Sequence, residues 1–277
     1  MKNNSFKVIG LVVSLALGFS VSLKADERLF GYLYEADVLP KGALEFEQWA
    51  TQANGQAAGV FSRWKIREEL EAGLTDDLAA SLYLNFVSSY RSVIDPASQA
   101  TVNTSESAFD GLSTEWKWRV LNPNQGPMGL LLYFEPRYSG QELELETKVV
   151  LQSNLGEEWV ACANVTAEQE YGFAADGQTN VGKLEGGAGI AYKCTPKFTV
   201  GLEGQNRRVW PGAWKLEQSS AWSAGPTLHY AAEKWWATLT ILPQIQGWPE
   251  TIPGDGRFLG DDDASRVESR LIAGIGF

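Results

Sequence analysis

The chain has 277 residues, of which 44% are hydrophobic; its 23 basic and 34 acidic side chains give a formal charge of −11. A chain this acidic has no electrostatic footprint for nucleic acid. After the N-terminus no apolar run reaches about 18 residues, which excludes a transmembrane helix but not a β-barrel, whose lipid face is hidden by alternation.

The first element reads as a leader. Lys2 and Lys7 precede the apolar run 8–22, and "LKA" offers a cleavage point after Ala25. The run is shorter than the ~20 residues a span needs, so residues 1–25 are expected to be a cleaved signal peptide. No Cys stands at the junction to carry a lipid. Without the leader, 20 basic residues face 34 acidic ones, a charge of −14. Residues 26–42 follow as a periplasmic N-terminal segment, either paired with what comes next or lying across its periplasmic mouth.

From residue 43 to 277 the chain alternates. In "LAASLYLNF" (78–86) Leu82, Leu84 and Phe86 share one face, and Ser81, Tyr83 and Asn85 share the other, the period of two of a strand. The same parity predicts twelve strands near 43–53, 59–74, 78–91, 110–121, 127–139, 142–154, 158–173, 181–194, 198–209, 219–232, 234–247 and 264–277. Between them, short turns such as 75–77 and 195–197 alternate with connections that are mostly longer, notably 92–109, 174–180 and 248–263. An even strand count with that alternation describes a transmembrane antiparallel up-and-down β-barrel in the outer membrane of a Gram-negative bacterium. Aromatic residues at strand ends fit interfacial girdles: Trp159, Phe198, Tyr230 and Trp235 near the short turns, Trp64, Tyr138, Trp222 and Trp248 near the long ones. Pro136, Pro226 and Pro243 fall inside predicted strands and are expected at bulges or strand ends. The last strand ends on Phe277, expected to close the barrel and to act as the signal read by the assembly machinery.

If one face is lipid, the other lines a lumen. The expected pore-lining residues are Arg63, Lys65, Arg67, Glu69, Glu115, Lys117, Arg119, Glu135, Arg137, Glu144, Glu146, Lys148, Glu203, Arg207, Glu268 and Arg270. Their mixed signs suit either ion-paired filling or a passage that selects solutes. A Ser–His–acid arrangement would need His229, the single histidine, which parity turns inward near a short turn. One His and two separated Cys make no metal set, and the acidic 254–263 lacks full EF-hand spacing. No cofactor is expected. Cys162 and Cys194 lie on neighbouring strands, so a disulfide is permitted, although their parities disagree.

"LPKGALEFEQW" (39–49) followed by "LEAGLTDDLAASLYLNF" (70–86) resembles the start of a family of bacterial outer-membrane β-barrels without assigned function. More distantly it is similar to the outer-membrane transporters of phenol-degradation pathways. The resemblance covers roughly residues 30–90 and the terminal strand. It implies location, fold and a transport role, with no functional residue carried over. The expected function is therefore a narrow channel for small solutes, surrounded by outer-membrane lipid. The alternatives are a closed barrel with a structural or surface-interaction role and, third, a lipid-modifying enzyme.

Overall fold

The computed structural model describes residues 28–95, 97–174, 177–212, 214–260 and 264–277; the leader lies outside them, as do residues 261–263 of the acidic loop. Among these residues twelve strands run in chain order: β1 Leu44–Asn54, β2 Val60–Gly73, β3 Leu78–Ile94, β4 Thr101–Leu121, β5 Gly129–Tyr138 and β6 Glu142–Leu155, then β7 Trp159–Ala174, β8 Gly177–Thr195, β9 Phe198–Pro211, β10 Ser219–Ala231, β11 Trp235–Trp248 and β12 Val267–Gly276. Each pairs antiparallel with its sequence neighbours, and β12 returns to β1, closing the barrel. The seam runs in register from Glu45↔Gly276 to Asn54↔Val267, and the Phe277 N–H donates to the Leu44 carbonyl at 2.8 Å. No sheet edge faces lipid along the seam, as hydrocarbon demands.

The faces sort inside out relative to a soluble protein. Leu82, Leu84 and Phe86 are each more than a third exposed, as are Leu132, Phe134, Leu239 and Leu271. Between them Ser81, Tyr83 and Asn85 are buried within the lumen. The expected girdle residues Trp64, Tyr138, Trp159, Trp222, Trp235 and Trp248 are exposed at the strand ends. Among the described residues no helix is long enough to cross a membrane; the strands do so.

The prolines sit where ladders are interrupted. Pairing of β10 with β11 jumps from Ser223↔Gln244 to Thr227↔Thr240, which absorbs Pro226 and Pro243. Pro136 falls where the β4–β5 ladder skips from Ser113↔Arg137 to Trp116↔Phe134. At these gaps a missing N–H leaves no ladder bond unmade.

One expectation is corrected. Residues 92–109, read as a loop, are mostly strand: β3 and β4 continue their ladder to Ile94↔Thr101. This part of β4 is exposed on both faces. Where both faces see the same solvent nothing requires alternation, so the strand period vanishes while the backbone bonds persist. Likewise β8 begins at Gly177, which shortens the expected 174–180 connection.

Candidate functional site

The lumen has two storeys. The lower one, nearest the short turns, is filled. Residues 28–39 form no ladder; they enter the barrel, and Arg28, Phe30, Leu33, Ala36 and Leu39 are all buried there. Tyr34, Ala36 and Val38 pack against Trp49, Leu131, Tyr133, Val150 and Trp236. Leu29, Phe30 and Leu33 pack against Val160, Cys162 and Ala191. A fully buried Phe or Leu contributes about 1.5–3 kcal/mol of hydrophobic free energy, so this plug is held by a core of its own.

Irregular backbone at membrane depth must find partners in the wall. Glu203 supplies three: its carboxylate accepts from the N–H groups of Gly31 at 2.8 Å, Tyr32 at 2.9 Å and Leu33 at 3.1 Å. The Thr240 hydroxyl donates to the same carboxylate at 2.6 Å. Thr238 donates to the Arg28 carbonyl, and Thr227 to that of Leu29 at 3.1 Å. Gln152 accepts from the Ala36 N–H at 2.7 Å. Arg270 donates to the Gly31 carbonyl at 3.0 Å and lies 4.0 Å over the Tyr32 ring. Arg28 stacks 3.8 Å over Tyr34 and 4.4 Å over Trp49. Glycine permits the close fit: a Cβ at Gly189 would lie 2.7 Å from Leu33 and 2.9 Å from Phe30, and one at Gly31 2.7 Å from Thr240.

Several expected pore residues belong to this filled storey. Glu69, Glu115 and Lys117 are buried in it. Lys117 lies 2.7 Å from Glu71, and Tyr83 donates to Glu115 at 2.6 Å. Glu203 holds the plug. Arg119 sits at the short-turn rim, 3.1 Å from Asp77. His229 is 2% exposed, its Nδ1 2.9 Å from the Thr238 hydroxyl oxygen.

Above the plug lies a vestibule of ≈ 470 Å³ floored by Tyr32, Tyr34 and Trp49. The other expected residues line it: Arg63, Lys65, Arg67, Glu135, Arg137, Glu144, Glu146, Lys148, Arg207, Glu268 and Arg270. Many are ion-paired. Arg137 lies 2.6 Å from Glu144, 2.5 Å from Glu142 and 3.4 Å from Asp110. Lys183 lies 2.6 Å from Glu170 and 2.9 Å from Glu168, and Lys148 2.9 Å from Glu146. Arg207 lies 3.0 Å from Glu185, and Arg67 is bonded to Glu135. Glu142, Glu144 and Glu170 converge within 4.8 Å, but Arg137 and Lys183 already bond them.

Parity could not find Asp110. The β3–β4 register slips between Asn85 and Phe86, beside Gly111 at φ 98°, and this bulge turns Asp110 into the vestibule. The glycine was the available signal. The plug aromatics were missed because their segment has no period. The permitted disulfide is also corrected: both thiols are free, Cys162 buried under the plug and Cys194 exposed. A bulge at Lys193/Thr195 does not bring them together, since Cys162 registers with Gly189.

A closed antiparallel barrel, apolar outside, charged inside and girdled by aromatics, defines a porin-like outer-membrane β-barrel protein of a Gram-negative bacterium. The chain belongs to the family of unknown function DUF6662, whose profile matches residues 22–277. Its fold is similar to that of the COG4313 outer membrane channel from Pseudomonas putida F1, at 12% identity and a TM-score of 0.60 over 88% of this chain and 98% of that one. It is also similar to the NanC porin, at 10% identity and a TM-score of 0.50 over 84% and 98%. No curated protein matches it in sequence.

Proposed function

We propose that the protein is a narrow channel for small polar solutes, held closed at its periplasmic end by residues 28–39 in the form described here. The observation that carries this reading is the division of the lumen: a charged vestibule of ≈ 470 Å³ ends on an irregular segment rather than on side chains of the wall alone. Ion-paired filling needs no such vestibule. A segment that packs as a small core of its own and whose backbone is held by wall side chains rather than by ladder bonds is also a part that can leave as a unit.

The test is planar-bilayer conductance of the full chain and of a variant lacking residues 28–38. The full chain is expected to give brief, small openings and the variant lasting steps. A heat-modifiable, folded variant without steps would sink the channel reading. The dense packing of the lower storey favours the second reading, a closed barrel that displays the β3–β4 hairpin outside the cell, and that result would establish it. The enzyme alternative gains nothing from His229, which lies beneath the plug. In either case we propose that Phe277 addresses the chain to the barrel assembly machinery.

A further inference from the structure

We infer that the vestibule is a binding site for short zwitterionic peptides, two to four residues long, with free termini. This deepens the channel reading and rests on it for the vestibule being reached from outside.

In a ring of twelve, β12, β1 and β2 stand opposite β6, β7 and β8. Both groups line the same cavity. The first contributes Arg63, Lys65, Arg67 and Arg270, with Glu268 as its one carboxylate. The second contributes Glu142, Glu144, Glu146, Glu168, Glu170 and Glu185, with Lys148 and Lys183. Two cations reach in from neighbouring strands: Arg137, which brings Asp110 with it, and Arg207, which bridges the walls at 3.0 Å from Glu185 and 3.7 Å from Glu268; seven carboxylates then face at most four cations. On the opposite wall, where Glu135 bonds Arg67, the lining residues are four cations and two carboxylates. The vestibule is nearly neutral as a whole and polarised across its width.

A single-signed ion gains from one wall and loses at the other, whereas a ligand with an anion at one end and a cation at the other gains at both. Its length follows from the ring. Twelve strands about 4.8 Å apart and tilted about 40° close into a circle about 24 Å across. Side chains of four to six bonds reach inward about 5–7 Å from each wall, leaving about 12 Å between charged ends. An extended peptide rises about 3.4 Å per residue, so three residues span about 10 Å, whereas a free amino acid reaches one wall only. The cavity lies within the roughly 300–1,000 Å³ of small-ligand sites. Its floor of Tyr32, Tyr34 and Trp49 offers flat apolar surface to a peptide backbone or small side chain.

The test is calorimetric titration of the folded full chain in detergent at low salt, with triglycine, N-acetyl-triglycine amide and glycine. Triglycine is expected to bind at least tenfold more tightly than either, and to weaken as salt rises. The Lys65→Glu variant should lose at least tenfold for triglycine and Lys65→Arg should restore it, with heat-modifiability reporting the fold of each. Equal binding of the blocked peptide, equal binding of glycine, or no binding of triglycine overturns the inference. A protein that conducts in bilayers yet does not bind triglycine loses this inference and keeps the channel reading. One that binds triglycine without conducting does the reverse.

Discussion

Replacing Glu203 with Ala removes the anchor of the plug without touching the barrel ladders. The Tyr32 and Leu33 N–H groups lose their acceptor, while the Gly31 N–H and the Thr240 hydroxyl lose the charged one and keep Thr240 Oγ1 at 3.1 Å and Thr227 Oγ1 at 2.9 Å. Hydrogen bonds to a charged group contribute about 1.5–3 kcal/mol each. Three of them amount to about 4.5–9 kcal/mol, reduced because Gly31 and Thr240 keep hydroxyl partners and water can enter the space left behind. Taking about 4 kcal/mol, the ratio of docked to released plug falls about a thousandfold. The chain carries its own reporter. Cys162 lies under Leu29, Phe30 and Leu33 and is 4% exposed, so a charged maleimide reaches it only when the plug leaves. In a Cys194→Ser background, labelling of Cys162 is expected to rise at least a hundredfold in Glu203→Ala. Glu203→Gln keeps one acceptor oxygen and should fall between. Unchanged labelling in a folded, heat-modifiable Glu203→Ala barrel would refute the view that this carboxylate holds the segment.

Three other outcomes are expected. Gly189→Leu drives a side chain into the space of Leu33 and Phe30, where even a Cβ would lie 2.7 and 2.9 Å away; Cys162 labelling should rise as in Glu203→Ala, and a protected thiol would count against the close fit. Leu84→Arg puts a cation on the lipid face, at a cost of about 2–4 kcal/mol near the bilayer midplane; denaturant titration in vesicles measures it, and a loss below about 0.5 kcal/mol would contradict the outward orientation. In the loop after β11 Arg257 donates to Asp255 at 2.6 Å, and with Arg266 at 3.2 Å it holds that carboxyl below its usual 3.8. A depressed carboxyl stabilises the fold fully above its ordinary range and loses that contribution as pH falls through the depressed value. Amide protection of residues 251–259, corrected for intrinsic exchange, should therefore hold down to about pH 4 and decline below it; decline beginning at neutral pH would point to another group.

The architecture was legible in the sequence because lipid and lumen demand opposite chemistry of successive residues. Wherever a strand lies between those two media, as in 78–86 or 235–242, the period of two is written into the side chains, and the strand count follows. The inward set, including Arg63, Lys65 and Arg137, came from that parity alone. Where the two media do not differ across the strand, parity is silent, and the outer β3–β4 hairpin passed for a loop. Bulges also reset parity, which hid Asp110 until the register slip beside Gly111 was seen.

What only the tertiary structure decided is how the lumen is divided. Residues 28–39 show no period because the hydrogen-bond partners of their backbone are contributed by β6, β7, β9, β10, β11 and β12, up to 239 residues away in the chain. No local pattern distinguishes a carboxylate that lines a vestibule, such as Glu144, from one that holds a plug, such as Glu203. The difference lies in height along the barrel and in which strands stand opposite, and both are set by ring closure between Leu44–Asn54 and Val267–Gly276. Alternation is a local consequence of the surrounding medium and can be read residue by residue; opposition across a ring is a property of the closed circle and exists only once the last strand has met the first.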